Sequence, residues 1–182
     1  IGGDLDITAK NNVDGLQGSV TLLGTVDSQA MTVLSANGMT LSADIKATSI
    51  DLDAGTALVA DNAITVDAVG ALTANAQSID LAKATTTAGS GLMDASNGAL
   101  TLGTTTINTS TLGLSSFGAM SLVGDILVNG TDFVADGQSI TMTSGTTLNT
   151  AGNATFTALD AISLETLTMG GDLDVTAQNL SD

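Results

Sequence analysis

The feature that most constrains this chain is a short apolar–polar–apolar triplet that returns about every twenty residues. It reads Val20/Leu22, Met39/Leu41, Leu58/Ala60, Ile79/Leu81, Leu100/Leu102, Met120/Leu122, Ile140/Met142 and Ile162/Leu164, with first members spaced 19, 19, 21, 21, 20, 20 and 22. The middle residues are Thr21, Thr40, Val59, Asp80, Thr101, Ser121, Thr141 and Ser163, all polar except Val59. Strict alternation is the strand signature, because successive side chains on a strand point to opposite faces. A second apolar series follows each triplet at Ile45, Ile64, Ile107, Ile126, Leu148 and Leu167, and a third at Met31, Ile50, Leu72, Leu92, Leu112 and Phe133. Three brief strands per twenty residues are too short to form hairpins with buried faces. They suit one turn of a coil whose strands lie parallel on those of the next turn.

Longer echoes point the same way. Residues 1–14 (IGGDLDITAKNNVD) return as residues 169–182 (MGGDLDVTAQNLSD), with nine of fourteen positions identical at an offset of 168. Asn37-Gly38-Met39-Thr40-Leu41 returns in Asn97-Gly98-Ala99-Leu100-Thr101-Leu102, and Gln77-Ser78-Ile79 in Gln138-Ser139-Ile140, offsets close to three coils. Glycine in Asn37-Gly38, Asn129-Gly130 and Asp136-Gly137 is expected to supply turns with positive φ. The small residues ahead of the triplets (Gly38, Ala57, Ser78, Ala99, Ala119, Ser139 and Ala161) suit tight corners. Proline is absent, as a ladder that uses every N–H requires.

The expected fold is therefore all-β: a parallel β-helix, or β-solenoid, of about nine coils of about 20 residues with three short strands per coil. At ~4.8 Å per stacked strand that is a rod of roughly 43 Å. An antiparallel sandwich would be less regular and richer in Trp, Tyr and Pro, and a helical bundle fails because no 3.6-residue period is sustained. Residues 1–182 read as a single segment comprising one 168-residue super-repeat of a longer array or fibre. Ile1-Gly2-Gly3-Asp4 carries neither a basic region nor an apolar stretch, which suggests a processed chain or a segment of something longer. Solenoid ends expose unpaired strand edges, and the restart at residue 169 implies continuation, with neighbouring copies of the same solenoid stacked end to end.

Composition narrows the function. The chain has 19 acidic residues against three lysines, a formal net charge of −16, and no His, Cys, Trp, Tyr or Arg. Structural zinc, haem, iron–sulfur clusters and disulfides have no ligands or partners here. Nucleic acid is excluded as a partner, since phosphate neutralisation needs a basic face. The mean hydropathy of +0.37 speaks against charge-driven disorder, and no apolar run reaches the ~18 residues of a membrane span.

Gly-Gly-Asp-Leu-Asp-Ile-Thr-Ala at 2–9, Gly-Gly-Asp-Leu-Asp-Val-Thr-Ala-Gln-Asn at 170–179 and the Gly/Ala-Leu-Thr-Leu type of triplet give the chain its family resemblance. It resembles the repeats of filamentous-haemagglutinin-like bacterial exoproteins along essentially its whole length. That resemblance implies a right-handed coil. It also implies a structural stalk or fibre segment of a secreted or cell-surface adhesin, acting in adhesion or extracellular matrix, with host or matrix glycans and proteins as further partners. The alternatives are a self-assembling extracellular filament subunit and a polysaccharide-processing β-helix enzyme.

Candidate sites are few. Asp4/Asp6, Asp51/Asp53 and Asp172/Asp174 are i, i+2 carboxylates that share a strand face, a spacing near that of glycosidase carboxylate pairs. With no Arg or aromatic platform alongside, they read as a solvated acidic face, and no enzyme is expected. Calcium needs more than Gly2-Gly3-Asp4-Leu5-Asp6, which lacks the third Gly of the nonapeptide calcium repeat, and Glu165 is the only Glu. No cofactor or metal is expected. Thr85/Thr87 and Thr104/Thr106 hint at the hydroxyl lattice of an ice-binding face, but Gly124-Asp125-Ile126 interrupts it. Asn108, Asn129, Asn153 and Asn179 head chance glycosylation patterns, and Lys10, Lys46 and Lys83 are too scattered to form a patch.

Overall fold

In the computed structural model, which describes residues 3–10 and 18–178, every regular element is a strand. In chain order these are β1 (Leu5–Ala9), β2 (Val20–Leu22), β3 (Val26–Ser35), β4 (Met39–Leu41), β5 (Ile45–Ala54), β6 (Ala57–Ala60) and β7 (Ile64–Ala76). They continue with β8 (Ser78–Leu81), β9 (Ala84–Ala95), β10 (Leu100–Leu102), β11 (Thr105–Ile107), β12 (Leu112–Leu122) and β13 (Ile126–Val128). The last are β14 (Phe133–Met142), β15 (Thr147–Thr150), β16 (Ala154–Ala158), β17 (Ile162–Ser163), β18 (Thr166–Met169) and β19 (Leu173–Ala177). Every pairing is parallel and joins a strand to its equivalent one turn away. The chain is a three-faced β-solenoid.

The triplets build the first face. Val20, Met39, Leu58, Ile79, Leu100, Met120, Ile140 and Ile162 stack in one unbroken column, inward and buried as far as Ile140. The second face stacks Val26, Ile45, Val66, Thr86, Thr105, Ile126, Leu148 and Leu167. The third stacks Leu5, Met31, Ile50, Leu72, Gly91, Leu112, Phe133, Ala154 and Leu173. From Leu5 to Leu173 the chain makes eight turns rather than nine: nine strands on one face enclose eight intervals.

Four expectations are corrected in detail. The strands are not all short, because β3, β5, β7 and β9 run through the corner from the second face to the third, and β12 and β14 through the corner from the third to the first. Register shifts at Ala47/Ile50, Ala68/Ala71 and Ser116/Ala119 absorb these corners. Leu92 does not join the third-face column: it is 54% exposed and Gly91 takes the inward place. A Cβ on Gly91 would lie 2.8 Å from Leu112 Cδ1 and 3.1 Å from Ile107 Cδ1, so those two side chains already fill its space. Ile64 and Ile107 are buried, yet they stack on Ala84 and on Ala88 and Val128, one inward position away from the column of Ile45 and Ile126. The expected positive-φ turns are absent too. Among the described residues only Gly145 has positive φ (87°), whereas Gly130 is needed because its backbone passes against Ser110.

The core runs along the axis. Large and small residues alternate diagonally: Phe133 lies under Ala154, Phe156 lies over Ala135, and the two rings meet at 5.3 Å with a 47° tilt. Met31, Met39, Leu41, Ile50, Leu52 and Leu58 are at most 1% exposed. Each burial contributes about 1.5–3 kcal/mol, and since each coil touches only its neighbours, stability accumulates rung by rung.

Candidate functional site

Outward side chains of the third face form their own columns. Asp6, Thr32, Asp51, Thr73, Leu92, Gly113, Val134, Thr155 and Asp174 make one, and Thr8, Leu34, Asp53, Asn75, Asp94, Ser115, Asp136, Thr157 and Thr176 make the other. The second column borders the corner that leads to the first face. There the chain dips, leaving two adjoining hollows of about 330 and 390 Å³ that share Asp94 and Ser96. Asp53, Asn75 and Gln77 line the first; Ser115, Phe117, Asp136, Gln138 and Leu159 line the second. Together they form an open groove parallel to the axis.

Local structure explains this groove. Ser116 faces inward, and its Oγ donates to the carbonyls of Gly98 (3.0 Å) and Gly118 (2.9 Å). Ser35 makes the same clasp four rungs below, to Gly18 (3.1 Å) and Gly38 (2.9 Å). With Ser116 pinned and the register shifting behind it, Phe117 is thrown outward and is 71% exposed. Apolar Phe117 and Leu159 thus flank Asp94 and Asp136.

Carboxylates recur on alternate rungs at Asp53, Asp94 and Asp136, so neighbours are roughly 9.6 Å apart along the axis. Asn75 and Ser115 stand between them. This spacing is too wide for one metal ion, and no group of three acidic ligands that could hold one occurs among the described residues. The groove offers hydrogen bonds and apolar contact to an extended polar ligand and carries no imidazole or thiol for chemistry.

The acidic pairs do not converge. Asp51 and Asp53 both point outward on β5 as expected, yet only Asp53 lines the groove while Asp51 lies in the neighbouring column. Asp4/Asp6 and Asp172/Asp174 sit at opposite ends of the rod. Several acidic residues instead work as corner clasps, which the sequence reading did not anticipate. Asp44 Oδ1 accepts the Thr65 N–H at 2.7 Å, and Asp125 Oδ1 accepts the Thr147 N–H at 2.8 Å and its hydroxyl at 3.0 Å. Asp132 accepts from Asn153 N–H (2.9 Å), and Asn153 Oδ1 accepts from Asp172 N–H (2.8 Å). Each bond joins one coil to the next, about 20 residues on. The signal was present as Asp or Asn at the strand-start corners.

The remaining candidates are placed as follows. Thr87 and Thr106 stack outward, but Asp67 below and Leu127 above end the hydroxyl pair. Asn108, Asn129 and Asn153 are exposed, and Asn179 lies outside the described residues. Lys46 stands between Asp27 and Asp67 in one outward column, and Lys83 Nζ donates to the Asp61 carbonyl at 2.8 Å. No helix among the described residues is long and apolar enough to cross a membrane. In comparisons with known proteins, no family model, no curated protein and no solved structure matches this chain.

Proposed function

We propose that this chain is a structural β-helical segment of a secreted or cell-surface bacterial adhesin of filamentous-haemagglutinin type, serving as stalk or fibre in adhesion or extracellular matrix. The observation that carries this reading is the rung-on-rung stacking of all three inward columns, over eight turns on the third face and seven on the other two. Such a rod spans distance and places its outer faces, including the Asp94–Phe117–Asp136 groove, where matrix or host glycans and proteins can meet them. A charge of −16 keeps the rod soluble and opposes sideways association of its edges. In this reading the coil is right-handed, no cofactor is required, and neither nucleic acid nor the membrane interior is a partner.

A second reading, a filament subunit stacking end to end, is favoured by the recurrence of β1 in β19. Electron microscopy of the purified chain separates the two, since a filament subunit gives fibres of one rod's width and a stalk segment gives single short rods. The third reading, a polysaccharide-processing enzyme, would use Asp51 and Asp53, of which Asp53 lines the groove. Glycan cleavage by the wild type and its loss in Asp51→Asn and Asp53→Asn would establish it against the structural role, and no turnover of any glycan would remove it.

A further inference from the structure

The two copies of the Gly-Asp-Leu-Asp-Ile/Val-Thr-Ala segment fold into the same strand of the same face. β1 stacks below Met31–Ser35 as Leu5↔Met31, Asp6↔Thr32, Ile7↔Val33, Thr8↔Leu34 and Ala9↔Ser35. β19 stacks above Ala154–Ala158 with Leu173, Val175 and Ala177 in the columns of Leu5, Ile7 and Ala9. The offset of 168 residues is thus eight whole turns, and Gly3–Ala9 differs from Gly171–Ala177 at one position, Ile7 against Val175.

The ends do not fit one another as they stand. Among the described residues the third face has nine strands and the other two have eight each. Setting β1 of a second copy directly on β19 would leave both other faces one rung short of described strands, between β17 and β2 and between β18 and Val26–Ser28. Removing β1 from the second copy abolishes the mismatch. β17 then meets β2, β18 meets the first half of β3, and β19 meets Met31–Ser35, so all three faces close together.

We infer that β19 is a donor strand that takes the seat of β1 on a second copy of this chain, displacing it and joining the two solenoids without a gap. This deepens the end-to-end reading above and rests on it. The seat is specified in detail. Gly3 O accepts the Gln29 N–H (3.1 Å) and Asp4 Oδ1 accepts the Ala30 N–H (3.2 Å); Gly171 and Asp172 bring the same two acceptors. Leu173 and Val175, 47% and 45% exposed on the last described strand, take the positions of Leu5 and Ile7 beneath Met31 and Val33. The exchange replaces one five-residue ladder by an equivalent one, and it also pairs the edges of β17, β18 and β19 that no described strand covers.

The absence of cysteine makes the test clean. The 182-residue chain carrying Asp174→Cys is mixed with the same chain carrying Thr32→Cys, and separately with Asp6→Cys, under mild oxidation. Outward neighbours on adjacent parallel strands lie ~4.8 Å apart, within disulfide range; within one molecule residues 32 and 174 are about seven rungs, roughly 34 Å, apart. Trypsin, cutting after Lys10, Lys46 and Lys83, reports the partner by mass, because residues 6, 32 and 174 fall in different fragments. Donor-strand exchange predicts a disulfide between fragments 84–182 and 11–46 as the main dimeric product. A disulfide between 84–182 and 1–10 instead overturns the exchange while leaving plain end-to-end stacking intact. Neither cross-link, with the mixture monomeric, overturns both.

Discussion

Replacing Thr86 by Val should stabilise this protein. Thr86 is 1% exposed and sits in the second-face column between Val66 and Thr105, and its Oγ1 has no hydrogen-bond partner. A buried hydroxyl without a partner costs about 1–3 kcal/mol, and Val presents a methyl of the same shape to an apolar column. The expected gain is about 2 kcal/mol. With a urea slope of roughly 2 kcal/mol/M, the unfolding midpoint rises by about 1 M with the slope unchanged. Thr105, next in the same column, is the control, since its Oγ1 donates to the Gly103 carbonyl at 3.2 Å. Thr105→Val removes that bond and lowers stability by about 1 kcal/mol. Urea titration of the three proteins, followed by circular dichroism and by a second probe, reads the difference. A midpoint for Thr86→Val at or below wild type, or an equal rise for Thr105→Val, would refute the assignment of Thr86 as an unsatisfied group.

Other perturbations probe separate parts of the account. Met120→Ala, fully buried between Leu100 and Ile140, should cost about 2–5 kcal/mol by thermal or urea unfolding, as cavities in packed cores do. Gly91→Ala should cost about 1–3 kcal/mol through collision with Leu112 and Ile107, and the same substitution should cost less when made in a Leu112→Ala background than in the wild type. Asp125→Ala should release Thr147 and speed amide exchange at its N–H, whereas Asp125→Asn, which keeps an acceptor, should preserve most of the protection.

The triplets made the first face legible because their middle residues are polar and their flanks large, so only one register buries the apolar set. Position 91/92 misled for the opposite reason. Hydrophobicity favours Leu92, but the inward place was decided by volume: Ile107 and Leu112, 16 and 21 residues onward, occupy the space a side chain at 91 would need. Ile64 and Ile107 read as one series with Ile45 because spacing alone cannot tell positions two apart on the same inward face. The groove was out of reach for a similar reason. Phe117 is exposed beside an inward Ser116 that is clasped to Gly118 in its own coil and to Gly98 in the coil below, a contact 18 residues apart in sequence. Acidic residues such as Asp44 and Asp125 looked like general solvation, and their role as acceptors for the next coil becomes visible only when the coils are stacked.

Rung-on-rung stacking is the premise of all these arguments, and a pair of engineered disulfides within one molecule tests it most directly. Ser121 and Thr141 are outward neighbours on successive rungs, while Thr101 and Thr141 are two rungs apart. Under mild oxidation Ser121→Cys/Thr141→Cys should close within the monomer, its Cα separation of ~4.8 Å being suitable, and Thr101→Cys/Thr141→Cys, at ~9.6 Å, should not. Closure of the second pair in preference to the first would contradict the solenoid.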